Sequence, residues 1–141
     1  MSLELAVAPR DAPKRVTVFV CTSCRGGAGE TDTRPGIATV DALERRLREA
    51  GAPDVEIRDV ECLAVCKRPA TIAITAEGSW TYVIGDLDID ADPDGIVETV
   101  LAFRRSLNGI VPWAERPSVF RKGVIARIPP RGFVQPVRES A

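Results

Sequence analysis

The first clear pattern along the chain is an alternation. Residues 15–20 read RVTVFV, β-branched at nearly every second position, and run directly into Cys21, which predicts a first strand. Residues 25–36 hold Gly26, Gly27, Gly29, Pro35 and Gly36 and read as a loop. From Ile37 the apolar positions Val40, Leu43, Leu47 and Ala50 recur at three and four residues, with Glu44, Arg45, Arg46 and Arg48 turned the other way. That is an amphipathic helix, ended by Gly51 and Pro53. Residues 55–60 predict a second strand. Residues 70–76 and 80–84 predict two more, and the Glu77-Gly78-Ser79 gap between them is short enough to require an antiparallel hairpin. Asp92-Pro93-Asp94 supplies an N-cap, a proline at the first helical position and an acid in the first turn. Ile96, Val97, Val100, Leu101 and Phe103 follow at helical spacing, so a second helix runs to about Leu107 and stops at Asn108-Gly109.

The order is βαβ followed by ββα, and a helix between the first two strands favours a parallel pair with a right-handed crossover. The fold class read from this order is α/β, like thioredoxin. Residues 1–14 are read as a disordered N-terminal segment and residues 15–108 as the thioredoxin-like domain. Residues 109–141 contain five prolines and no period, and read as an extended C-terminal tail with a short strand at residues 124–128.

A chain of 141 residues, 45% of them hydrophobic, is enough for one buried core and short for two. The formal net charge of −1 gives no global field toward nucleic acid or an anionic membrane, so neither is expected as a partner. No apolar run approaches the ~20 residues that span a bilayer, and residues 2–14 do not read as a signal peptide. The expected location is cytoplasmic, where four cysteines point to metal ligation or redox chemistry before structural disulfides. The chain has no histidine, which excludes Cys2His2 zinc, Rieske ligation, histidine-held haem and imidazole as a base.

The cysteines are spaced Cys21-x2-Cys24 and Cys62-x3-Cys66. If the first two strands are parallel neighbours, one pair follows each at the same end of the sheet. Four thiolates there suit [2Fe–2S], [4Fe–4S] or zinc. A four-thiolate [2Fe–2S] unit carries about −2 charge oxidised and −3 reduced, so it needs nearby N–H donors and cations. The Gly26-Gly27-Ala28-Gly29 loop offers bare backbone N–H groups, and Arg25, Lys67 and Arg68 add positive charge. Two alternatives stand beside the cluster. A structural zinc module would use the same cysteines, although the second pair has three intervening residues in place of the commoner two. A thiol–disulfide oxidoreductase would use C-x-x-C after a first strand, but in that arrangement the helix starts at the motif.

Glu61 to Ile74 reads ECLAVCKRPATIAI, which resembles the second half-site of thioredoxin-like [2Fe–2S] ferredoxins and of the small flavoprotein-associated subunit of respiratory complex I. The VCTSCRG start, the CLAVCKRP segment and the GIVPWAERP tail are similar to the DUF1636 family of predicted metal-binding proteins, over roughly residues 15–132. The resemblance implies that Cys21, Cys24, Cys62 and Cys66 are each ligands of a [2Fe–2S] cluster. It implies a one-electron carrier with a redox partner protein and no catalytic residue. The first cysteine pair is more closely spaced than is usual in those ferredoxins. Family context associates such proteins with cobalamin biosynthesis, which suggests electron supply for cobalt reduction.

Asp90 to Gly95 matches the opening of an EF-hand loop, yet Leu101 stands where the bidentate glutamate belongs, so these acids are expected to cap the second helix. Residues 77–98 hold seven acids and no base, while from Arg104 onward eight basic residues face two acidic ones, a local net of +6. This polarity, with Trp113, Phe120 and Phe133 in the basic segment, predicts a homodimer in which each tail meets the acidic surface of its mate.

Overall fold

In the computed structural model, which describes residues 14–22, 35–64 and 70–137, the RVTVFV alternation becomes strand β1 (Val16–Cys21). Its even-numbered side chains Val16, Val18 and Val20 are buried. Helix α1 (Pro35–Glu49) buries Leu43 and Leu47 against that face. It ends in a left-handed Gly51, where the Gly51 N–H donates to Arg48 O and the Ala52 N–H to Leu47 O. This paired bonding satisfies two carbonyls that a helix end leaves open, and only glycine takes the required φ of 83° without strain. Strand β2 (Glu56–Val60) then pairs with β1 in parallel, Thr17 opposite Glu56 and Cys21 opposite Val60.

Strands β3 (Ile72–Ala76) and β4 (Thr81–Ile84) form the expected hairpin, and β3 lies antiparallel to β1. Helix α2 (Pro93–Arg105) begins as its sequence predicts: the Asp92 carboxylate accepts the Gly95 N–H at 3.0 Å, with Pro93 in the first turn. Asp92 of the near EF-hand motif serves this cap, and in the preceding turn Asp88 accepts the N–H groups of Asp90 and Ala91. Tyr82 meets Phe103 of α2 edge-on, and the buried side chains of both helices join those of β1, β3 and β4 in one apolar cluster.

Beyond α2 the structure departs from the sequence reading. The segment taken as an extended tail carries a 3-10 turn (Trp113–Glu115), a short helix α3 (Ser118–Lys122) and strand β5 (Val124–Ile128). The predicted strand is therefore present, and it is the fifth strand of the sheet, in the order β2-β1-β3-β4-β5. The boundary drawn at residue 108 accordingly runs inside the sheet-forming unit. The reason lies in two residues that the proline-rich composition masked. Phe120 is fully buried and stacks edge-on against Tyr82 at 4.8 Å, and Val111 is buried beside it. Gly109 permits the approach, for a Cβ there would stand 2.6 Å from the Trp80 backbone nitrogen.

The expected disorder of residues 1–14 falls, except for Lys14, outside the described residues. Lys14 itself is ordered by contacts: its ammonium donates to Ser79 Oγ at 3.2 Å and Ser106 Oγ at 2.9 Å, and lies over the Phe103 ring. Burial pushes its pKa down. The ammonium also sits at the C-terminal end of α2, where the helix dipole favours a cation.

Candidate metal centre

Two strands deliver the site. Cys21 is the last residue of β1 and Cys62 comes two residues after the end of β2, and because the strands are parallel both leave the sheet at the same end. The exits are tied together by one residue. Thr22 donates its N–H and its hydroxyl to Val60 O, at 2.9 and 3.0 Å, so the backbone just past Cys21 is fixed against the backbone just before Cys62. On the other side the Cys21 N–H donates to Thr71 O at 3.0 Å, ahead of β3.

The two sulfurs have different surroundings. Cys21 is 1% exposed, and its thiol donates weakly to Glu61 O at 3.9 Å. Cys62 is exposed, and its sulfur accepts the Ala64 N–H at 3.1 Å. A thiolate carrying negative charge gains from such a donor, and soft sulfur ligands suit iron–sulfur clusters and zinc. Ala64 and Ala70, at the two sides of the undescribed residues 65–69, both have left-handed backbones, with φ of 63° and 56°. The Ala70 carbonyl accepts the Leu87 N–H at 3.3 Å, which draws the acidic turn after β4 to the same end of the sheet.

Of the four cysteines the sequence singles out, the structure brings Cys21 and Cys62 to one end of the sheet. Cys24, Cys66, the Gly26 to Gly29 loop and the cations Arg25, Lys67 and Arg68 lie outside the described residues. Among the described residues no group of three or more potential ligands converges. The donor chemistry of the two described cysteines fits a thiolate-held metal group, and Cys24 and Cys66 would complete a set of four. Sequence reasoning missed Thr22, Thr71 and Ala64. A threonine directly after a strand-terminal cysteine was the available signal for the first, since its hydroxyl reaches backbone carbonyls readily. An alanine with positive φ leaves no mark in sequence.

A shallow cleft of about 850 Å³ lies at the opposite end of β1, lined by Arg15, Thr17, Asp54, Glu56, Thr75 and Glu77 among others. No cysteine is among its described lining residues. Among the described residues no helix is long and apolar enough to cross a membrane.

The family described as "Protein of unknown function (DUF1636)" matches residues 18–130. Two solved structures are similar in fold. One is a thioredoxin-like [2Fe–2S] ferredoxin from Aquifex aeolicus, with a TM-score of 0.54 and 18% identity over 86% of this chain and 99% of the other. The second is the wild-type thioredoxin-like [2Fe–2S] ferredoxin from the same organism at 1.5 Å resolution, with a TM-score of 0.52 and 16% identity over 80% and 98% of the two chains. No curated protein matches. At these identities the likeness establishes the thioredoxin-like α/β fold.

Proposed function

Since the chain belongs to the DUF1636 family and has the thioredoxin-like fold, we propose that it is a one-electron carrier whose [2Fe–2S] cluster is held by Cys21, Cys24, Cys62 and Cys66. The observation that carries this reading is the parallel pairing of Cys21 with Val60, which sends both cysteine motifs out of the sheet at one end. When bound, the cluster supplies a centre that takes up and releases a single electron.

The chain's own residues do the holding. Cys21 is anchored from both sides by the bonds of its own N–H and of Thr22. Cys62 stands at the solvent edge with a backbone donor on its sulfur, the side on which a redox partner protein can approach. The proposed acceptor is a cobalt corrinoid, a reading supported by family association. In the alternative of a thiol–disulfide exchange enzyme, burial removes Cys21 as the attacking thiol.

Anaerobic purification followed by iron and sulfide analysis, absorption and EPR tests the assignment. Two iron and two sulfide per chain, visible charge-transfer bands and a one-electron EPR signal after reduction are expected. A colourless protein with one zinc per chain would replace the cluster by a zinc-stapled module.

A further inference from the structure

We infer that Ala64 is a positioning residue for Cys62: its N–H bonds the sulfur, and this bond favours the reduced state of the metal centre. The inference rests on the proposed cluster.

The geometry is local and specific. β2 ends at Val60, and the chain turns within Cys62, Leu63 and Ala64. The Ala64 N–H reaches back two residues to the Cys62 Sγ at 3.1 Å, a sulfur counterpart of the turns in which Asp or Asn side chains accept the N–H two residues on. Ala64 has a φ of 63°, in a region that L-residues other than Asn and Asp rarely adopt. Glycine would take that conformation without the Cβ penalty and a β-branched residue would take it poorly. The N–H lies in the peptide plane between Leu63 and Ala64, and a residue that cannot hold the left-handed φ at position 64 forces the turn, and that plane with it, to shift.

Hydrogen bonds to cluster sulfurs are among the levers that set an iron–sulfur potential. Adding an electron makes a four-thiolate centre more negative, so an N–H aimed at a ligand sulfur stabilises the reduced form more than the oxidised one.

The test compares Ala64→Gly and Ala64→Val in the full chain. Reductive titration with dithionite, which supplies the single electron, should give Ala64→Gly a potential close to the parent. Ala64→Val should retain iron and sulfide and lose about tenfold in the ratio of reduced to oxidised centre at fixed potential, which is about 59 mV for one electron. An Ala64→Val protein with intact cluster and the parent potential overturns the inference. A second measurement uses the metal-free chain: the Ala64 amide should exchange with solvent several-fold faster in Cys62→Ala than in the parent. Equal exchange also overturns it. Failure of the parent to bind iron at all would strike the proposed function and leave the amide measurement to decide the geometry.

Discussion

The guanidinium of Arg116 donates to the Tyr82 hydroxyl across 3.1 Å and lies over the Tyr82 ring, 5.3 Å from its centroid. The same hydroxyl accepts the Val111 N–H at 3.2 Å, and Arg116 donates to Val111 O at 2.8 Å. One buried side chain of β4 thus gathers the segment after α2 onto the sheet.

Tyr82→Phe keeps the ring and its contacts with Phe103 and Phe120, but leaves the Val111 N–H and one Arg116 donor without their acceptor. Leaving a buried donor unsatisfied costs about 1–3 kcal/mol. Denaturant unfolding should show a loss of that size with an unchanged slope. A loss below the error of the measurement would mean that water replaces the hydroxyl.

Deleting residues 110–141 should prevent cooperative folding. The deletion removes β5 and the fully buried Phe120 and Val111, and strips the cover from Tyr82. Losing a buried Phe alone costs about 3–5 kcal/mol, comparable to a small domain's whole stability. A truncated protein with a sharp thermal transition near that of the full chain would contradict this.

Replacing each cysteine singly by serine should cost most of the bound iron, because a hard hydroxyl replaces a thiolate poorly. Cys21→Ser is expected to be the most damaging to folding as well, since it puts a hydroxyl into a nearly closed site. Iron analysis and melting temperatures of the four variants check this. Full iron content in all four would remove the cysteines from the site.

Acid should weaken the link between α2 and the turn before β2. Arg104 donates to both Asp54 carboxylate oxygens, at 3.1 and 2.8 Å, and this bonding holds the carboxyl below its usual range. Because the folded-state pKa lies below the unfolded one, the pair's contribution is complete above the unfolded value and is lost as pH falls through the folded one. Both groups are partly exposed, so the contribution is about 0.2–1 kcal/mol. Arg104→Met should be less stable than the parent by that amount near neutrality, and the difference should shrink in acid. A difference that stays constant down to pH 2 would assign the effect to packing.

We propose that the chain pairs with a second copy. Trp113 is 61% exposed, with the Arg121 guanidinium 5.6 Å from its ring, and the Gly85 N–H bonds to Gly123 O, which sets the basic end of α3 beside the acidic turn after β4. A two-fold axis between them would set the basic half of one copy on the acidic half of its mate. Sedimentation should give a dimer that weakens in high salt and on Trp113→Ala. A monomer at high micromolar concentration would end the idea.

The four strands and two helices up to Arg105 were legible because each has one dominant period and clear boundaries, with Gly51 ending α1 and Asp92 starting α2. Beyond Asn108 the strand at residues 124–128 was legible, but its place in the sheet and the helix before it were not. Phe120 sits in a helix of five residues, too short for a period to show, and β5 meets β4 with an irregular register at Val83 and Ile84 that no sequence pattern announces. At the candidate metal centre, the exit of Cys21 and Cys62 at one end of the sheet was legible from strand order. The burial difference between Cys21 and Cys62 was not, because it depends on β3 lying on the far side of β1. Nor was the bond from the Ala64 N–H to the Cys62 sulfur, made in a turn whose left-handed φ alanine seldom takes.

The antiparallel placement of β3 beside β1 has a consequence for biosynthesis. All four cysteines are made before Thr71, whose carbonyl fixes the Cys21 N–H, and long before β4 and β5. At roughly 5–20 residues per second, the nascent chain carries its complete thiol set for several seconds before the last strand is translated. Under the proposed assignment, metal reaching the chain in that interval would meet cysteines held only by β1 and β2. Loading is therefore expected to follow release from the ribosome.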